Sequence, residues 1–435
     1  MLSAGSVGLA AASEPVVPAH LRLEDATRIF REHGFDLIVA EAQIQSAEGD
    51  VKIAGAIPNP SLGNSFGHAF TYTPDDPSCA QSNATCSANI YTVDLSDQAA
   101  LSTIISGKRG LRLKVAKAAL AAARQSRADA ERTLLFQVKQ QYVQAVLARE
   151  RLDFALEVQG SSAQTLQLNQ TRYEKGAISE VDVAKVEVEK LEADQAVAQA
   201  RQALVVAKAN LAFLIGVRGP VPEYEVDPDL PKYAVPPPLA AATPDSLLAD
   251  ALATRPDLKA QAFQRDSSEA ALRLARRMRV PDVALDLSYA QGGSGGLGTN
   301  APIQTPTFTI GISAPVPLFY RQKGEIQKAQ ADLRTQETQR DKVEAQVRSD
   351  VQQAFSNFLA TREQIERMEG RLLDRARLTR DLTKLQYGKG AASLLEFLDA
   401  QRTFIATNVE YLQDLANYWT AVFQVEQAVG TELRK

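Results

Sequence analysis

Four residues of this 435-residue chain have types and spacings that could do chemistry: Cys79 and Cys86, which bracket "CAQSNATC", and the acids Glu396 and Asp399. Two thiols so close in sequence could close a disulfide or begin a metal site. Two carboxylates at i and i+3 share one helix face and could recruit a cation. Neither pair has the company that catalysis needs. The chain has three His, none near enough to the cysteines to complete zinc-ligand spacing. It shows no Gly-rich phosphate loop and no Ser/His/Asp spacing, so it reads as a protein without catalysis, cofactor or metal. A net charge of −4 supplies none of the basic surface that nucleic acid demands. Taken alone, Glu396 and Asp399 are also what a helix wants near its start, where acids favour the dipole and an S-x-x-E box caps the backbone.

The elements that must position these residues come from a repeat. "YEKGAIS" occupies Tyr173 to Ser179 and "YGKGAAS" occupies Tyr387 to Ser393, 214 positions later, and the shift holds from Arg172/Gln386 through Gly216/Gly430. Upstream of each heptapeptide lies a long run rich in Ala, Leu, Gln, Glu, Lys and Arg and free of Pro, which predicts helices over 108–172 and 321–386, each roughly 90 Å long at about 1.5 Å per residue. Gly176 and Gly390 suit the left-handed residue that ends a helix, while Ser179 with Asp182 and Ser393 with Glu396 suit capping boxes that open the next. Return helices follow over 180–215 and 394–429. Their seam runs through Val183, Val186, Ala193, Val197, Leu204 and Leu211, and 214 positions on through Phe397, Ala400, Thr407, Tyr411, Tyr418 and Val425.

The N-terminal arms also repeat, Asp36 to Pro60 answering Asp257 to Pro281. After each arm the period changes from helix to strand. "DVALDLSY" alternates Val283, Leu285, Leu287 and Tyr289 with Ala284, Asp286 and Ser288; "TFTIGIS" alternates in the same way, and a Gly-rich loop joins them into a hairpin within 281–319. In the first half a weaker alternation, interrupted by Asn64 and His68, predicts a hairpin within 60–106 around the loop that holds both cysteines. Each half, 21–216 and 244–430, therefore reads as helix, β-hairpin, long helix, turn, helix. A Pro-rich linker, 217–243, is expected to be extended and packed along the surface, and 431–435 is a tail. Residues 1–20 read either as the remnant of a secretory signal or as a disordered start. Strands with apolar and small polar residues on opposite faces fit a membrane barrel or a soluble sheet with one wet face.

Here the sequence resembles the TolC-like outer-membrane efflux proteins. The resemblance rests on the doubled plan, on "RYEKGAISEVDV" and "QYGKGAASLLEFLDA", and on "SAPVPLF" after the last strand; "NPSL", "SGKRGLRLKVAKA" and "PVPLFYRQKGEIQKA" look more particularly like its CzcC-like cation-efflux branch. It implies a mainly α fold with a small β part. It further implies a homotrimer whose twelve-stranded outer-membrane β-barrel continues into a twelve-helix periplasmic α-barrel. The implied function is a passive export duct, partnered by a periplasmic adaptor and an inner-membrane pump; the alternative is a soluble periplasmic coiled-coil adaptor or scaffold. By the same resemblance Tyr173, Lys175, Gly176, Ala177 and Ser179, with Tyr387, Lys389, Gly390, Ala391 and Ser393, form tips that dock the adaptor. Glu396 and Asp399 would narrow the periplasmic aperture, with Asp182 the first-copy counterpart of Glu396; the family's basic partner is replaced here by Ala392. Asp94, Ser96, Asp286 and Ser288 would line the barrel lumen, and Tyr72, Tyr91 and Tyr289 would meet the membrane interface.

An exported loop lies in an oxidising compartment, so Cys79 and Cys86 are expected to be joined. Protein isolated without reductant should resist alkylation at both thiols and accept two labels after reduction. Labelling of both thiols before reduction would exclude the bridge.

Overall fold

The computed structural model describes residues 14–68, 70, 89–228, 232–291 and 306–432; Tyr72, Cys79 and Cys86 lie outside them. The chain is mainly helical with a small sheet part. In order, the elements are β1 (His20–Leu21), α1 (Leu23–His33), α2 (Phe35–Gly55), β2 (Ser61–His68), β3 (Asn89–Ser96) and α3 (Ala100–Ile105). There follow α4 (Lys108–Glu174), α5 (Glu180–Leu214), β4 (Glu225–Val226), α6 (Pro237–Ala240), α7 (Pro244–Thr254) and α8 (Pro256–Arg277). The last are β5 (Ala284–Gln291), β6 (Thr307–Ser313), α9 (Lys323–Arg367), a π turn (Met368–Leu372), α10 (Leu373–Gly388) and α11 (Leu394–Val429). Two compact units form: one gathers the chain up to Ala42, Gln125–Leu258 and the chain from Lys342 on, the other Gln43–Arg124 and Lys259–Asp341.

The first unit holds the apolar core. Phe30 of α1, Val138 and Val146 of α4, Leu211 of α5, Phe358 of α9 and Val422 of α11 are all buried in one cluster. Tyr418 is fully buried in it: its ring meets Tyr233 at 5.1 Å and Phe358 at 5.9 Å, and its hydroxyl donates to the Ala234 carbonyl (3.0 Å). The stretches that flank the first repeat are held in this unit too. The Pro-rich stretch packs by its apolar residues: Tyr224, Val226 and Leu239 enter the core, and the Tyr224 hydroxyl donates to the Lys208 carbonyl (2.6 Å). Ahead of α1, His20–Leu21 pairs in parallel with Glu225–Val226 and the Gly219 N–H donates to the Glu14 carboxylate (3.2 Å).

The end of α11 lies within this core, so its last carbonyls need donors. The Thr254 hydroxyl donates to the Val429 carbonyl (2.8 Å), Arg255 to that of Ala428 (3.2 Å) and Arg132 to that of Gln427. Arg255 is 3 % exposed and also pairs with Asp257 (2.7 Å) and Asp350 (3.0 Å). Burial alone would raise the Asp257 pKa, but the Arg255 guanidinium beside it brings it below the usual range.

The second unit holds an antiparallel sheet ordered β2-β3-β5-β6, with β2 and β6 at its edges. Leu62 pairs with Leu95, Leu95 with Leu287 and Leu287 with Ile310; Phe66 pairs with Tyr91, and Val93 with Tyr289. That register places all the large apolar side chains of the four strands but Ile90 on one face. Asn64, His68 and Gln291 are the polar residues of that face, and the first two are the breaks that weaken the alternation of the first hairpin. The apolar face is open: Leu62, Phe66, Phe308, Ile310 and Ile312 are each more than 60 % exposed. Residues 100–105 at the end of the expected first hairpin are helical instead, because the Asp97 carboxylate accepts from the Ala99 N–H (3.0 Å) and, across the sheet, from the Leu285 N–H (2.8 Å), turning the chain out of β3. The second long helix differs from expectation as well: it starts at Lys323 and passes through the π turn before α10. Among the described residues no helix is long and apolar enough to cross a membrane.

Arg255→Ala would leave two carboxylates and a helix-end carbonyl without their cation. Breaking a buried pair costs several kcal/mol, and the partial exposure of both acids reduces this to about 2–3 kcal/mol. Urea unfolding of the detergent-solubilised protein, followed by circular dichroism, should show the midpoint falling with little change in slope.

Candidate functional site

The turns between the long and return helices sit in the first unit and share one backbone design. At the first, the Ala177 N–H donates to the Arg172 carbonyl (2.8 Å) and the Gly176 N–H to that of Tyr173 (2.8 Å); at the second, Ala391 donates to Gln386 (2.8 Å) and Gly390 to Tyr387 (3.1 Å). Both are Schellman closures, and Gly176 (φ +70°) and Gly390 (φ +75°) take the left-handed position that a side chain would strain. Lys175, Ala177, Lys389 and Ala391 are exposed at these turns.

The caps that follow differ. Ser393 and Glu396 form the full reciprocal box: the Glu396 N–H donates to Ser393 Oγ (3.2 Å) and the Ser393 N–H to Glu396 Oε2 (2.7 Å). Those bonds, the backbone one foremost, hold the Glu396 carboxyl below its ordinary value of 4.5. Its cap is therefore present above that pH and is lost as pH falls through the lowered value. At the first turn the expected box is only half made. The Asp182 N–H donates to Ser179 Oγ (3.3 Å), but the shorter Asp182 side chain bonds the Ser179 hydroxyl (2.8 Å) instead of completing a reciprocal box. That hydroxyl, with Lys185 at 3.5 Å, holds the Asp182 carboxyl low. Glu396 and Asp399 line one groove of about 360 Å³ between α10 and α11, together with Thr383, Ala400 and Thr403.

The two tyrosines part company. Tyr173 is 45 % exposed, whereas Tyr387 is 7 % exposed and joins Val186, Leu394, Phe397 and Leu398 in a small core separate from the main one. Its ring stacks on Phe397 (5.4 Å, 5° between planes) and its hydroxyl donates to the fully buried Asn169 amide oxygen. The Arg172 guanidinium lies 4.9 Å from the same ring and donates to the carbonyls of Tyr387 (3.4 Å) and Gly388 (2.9 Å), the end of α10. A cation there answers both the ring face and the helix terminus. Sequence reasoning did not single out Asn169 or Arg172; the one available signal was that the second copy writes Thr383 and Gln386 in their places.

In the second unit, Asp94 pairs with Ser288 and Ser96 with Asp286, on the sheet face opposite the apolar one. The Ser313 hydroxyl donates to Asp286 (2.9 Å), so the polar face carries its own hydrogen bonds.

The outer membrane efflux protein family matches residues 29–217 and 247–431, most of the chain in two blocks. This chain belongs to the outer membrane efflux protein family. Among curated outer membrane efflux proteins and their kin, it is similar to the cobalt-zinc-cadmium resistance protein CzcC of Cupriavidus metallidurans, 24 % identical over 96 % of this chain and 92 % of that one. It is also similar to the pyoverdine export outer membrane protein OpmQ of Pseudomonas aeruginosa, 26 % identical over 85 % of this chain and 77 % of that one. Its fold matches the outer-membrane channel OprN (TM-score 0.76, 18 % identity, 95 % of this chain and 91 % of that one). It likewise matches the open state of the Neisseria gonorrhoeae MtrE outer membrane channel (TM-score 0.72, 19 % identity, 95 % and 90 %).

Tyr387→Phe keeps the stack on Phe397 and leaves the buried Asn169 oxygen unpaired, at a cost of about 1–3 kcal/mol. Native-state hydrogen exchange should then speed up by about ten-fold or more at the amides of 165–186 and 385–398, while those of 138–146 stay unchanged. Equal rates in both proteins would show that the bond contributes nothing to the turns.

Proposed function

We propose that three copies of the chain form a passive export duct in the outer membrane, fed at its helical end by a periplasmic adaptor and an inner-membrane pump. The observation that carries the proposal is the sheet: four strands with an open apolar face and two unpaired edges. Hydrocarbon satisfies the face, but it cannot satisfy the edges, where each unpaired backbone group costs several kcal/mol. Closure with the sheets of two further copies satisfies both and makes a twelve-stranded barrel. Asp94, Ser96, Asp286 and Ser288 then face a wet lumen, and Tyr91 and Tyr289 stand on the lipid side.

The helices follow the same symmetry. Two hairpins per chain, α4 with α5 and α9–α10 with α11, give a tube of twelve helical strands, each half of the chain contributing one repeat. Six turns form a ring on which adaptor chains dock, with Lys175, Lys389, Ala177 and Ala391 as the exposed contacts that turn geometry does not itself require. Glu396 and Asp399 bring six carboxylates toward one axis and make the mouth cation-selective. Such a wall recognises no one cargo, which agrees with relatives named for metal resistance and for pyoverdine export.

Light scattering of the detergent-solubilised protein should give three chains per particle, and planar bilayers should show a cation-preferring channel. Glu396→Ala/Asp399→Ala should raise its conductance and weaken both cation selectivity and block by divalent ions; Glu396→Gln should reproduce part of this without loss of the cap. A stable water-soluble monomer that keeps its strand content would overturn the duct. A double variant that is trimeric and conducts like the parent would remove these acids from the aperture.

A further inference from the structure

Three helices of the first unit, α4, α5 and α11, enclose an open cavity of about 760 Å³. Its wall sets the carboxamides of Gln144, Gln199, Gln202 and Asn210 beside an apolar floor that includes Leu147, Phe154 and Val206, and it holds no carboxylate. Arg151 is the one charged residue of the wall. Its guanidinium donates from Nη2 to the Gln413 amide oxygen (2.8 Å), and its Nε is buried without a partner among the described residues. Two positions earlier Arg149 pairs with both Asp153 and Glu225, but Arg151 forms no ion pair among the described residues. Burial pulls the Arg151 pKa down from its ordinary value, and no acid offsets it. A half-buried cation of this kind is stabilised by an anion. The cavity lies on the side of the helices that the flanking segments leave free. At about 100° per residue, Arg151 stands half a turn from Tyr142, whose hydroxyl donates to Asp227 (2.6 Å), and Asn210 nearly half a turn from Lys208, which pairs with Glu225 (3.2 Å). Val409, which also lines the cavity, stands half a turn from Tyr418, whose hydroxyl donates to the Ala234 carbonyl.

We propose that this cavity holds cargo in transit: an organic anion with a compact apolar body, its anionic group on Arg151 and its body against Leu147, Phe154 and Val206. The inference rests on the duct proposed above and names a class of molecule that it carries. A duct must keep its bore clear, so the flanking segments lie outside the ring, and the cavity on the opposite side of the same helices opens inward. A charge-assisted bond from the guanidinium orients the ligand, and the apolar floor supplies contact area. A cation with the same body gains nothing from Arg151. A long alkyl chain laid along the cavity would cover the carboxamides without bonding them, which costs free energy at each, so a compact body fits better. The site reads one group and the body behind it. It sets no limit on charges elsewhere in the ligand, so a cargo that also carries amines can pass the acidic mouth and still meet Arg151.

Titration calorimetry on the full chain in a non-ionic detergent, with protein-free micelles as the blank, compares naphthalenesulfonate, naphthylmethanol, naphthylmethylammonium and octanesulfonate. One naphthalenesulfonate should bind per chain, at least about ten-fold more tightly than the alcohol, with the ammonium no tighter than the alcohol. Octanesulfonate should bind more weakly than naphthalenesulfonate; the reverse order would overturn the compact body. Arg151→Gln keeps a donor for Gln413 and should bring the sulfonate down to the affinity of the alcohol without changing that of the alcohol, a result that a misfolded variant would not give. Ala203→Trp fills the cavity and should weaken all four probes. A sulfonate bound no tighter than the alcohol, or bound equally by the parent and Arg151→Gln, would overturn the site. In planar bilayers naphthalenesulfonate should interrupt the current of the parent and not that of Arg151→Gln. Binding in solution with uninterrupted current would place the site outside the bore and overturn its part in transport. A conducting trimer that binds no sulfonate would remove the site and leave the duct; the expected binding order in protein that scatters light as a monomer would remove the duct and leave the site.

Discussion

A strand edge carries a row of N–H and C=O groups that must be paired, and β2 and β6 each present one. Water can satisfy such an edge; hydrocarbon cannot. The open apolar face of the same sheet asks for hydrocarbon, and the two demands meet only when the edges are closed by further copies of the chain. The proposed closure with two further copies, with Asp94 and Asp286 on its wet inner face, answers that one conflict. A soluble sheet would resolve it by packing a layer over Leu62, Phe66, Phe308 and Ile312, and the chain supplies none among its described residues.

At the turns, the governing interactions are short and polar. The Tyr387 cluster contains few residues, so it leans on the Asn169 hydrogen bond and on Arg172, which joins the first long helix to the end of the second. Its separation from the core around Tyr418 lets the turns open locally without loosening the rest of the unit, the pattern expected where a surface must move. Glu396 serves two masters there: it caps α11 and faces the groove.

What could be read from the sequence was whatever depends on local chemistry. Gly176 and Gly390 announce their turns because few other residues tolerate positive φ. The alternation of Leu285, Leu287 and Tyr289 fixes the apolar face because side-chain period in a strand is two. Burial of the Pro-rich stretch was illegible because it depends on where Tyr224 and Leu239 land after folding, and prolines describe only the local path. The inequality of Tyr173 and Tyr387 was hidden for a related reason. Closely similar heptapeptides make the same Schellman closure, while their surroundings come from residues on other helices.

The π turn at Met368–Leu372 has a consequence for how such a chain can change over generations. Helices in a tube must present the same stripes to their neighbours along their whole length, and one added residue would rotate everything on one side of it by about 100°. A π turn absorbs that residue in place, since it winds one more into the turn and leaves the helix in phase above and below. The first long helix is unbroken from Lys108 to Glu174, so the two halves of the chain can keep matched ends while differing in length between them. Duplicated genes for tubular walls can thus drift one codon at a time, instead of only by whole heptads.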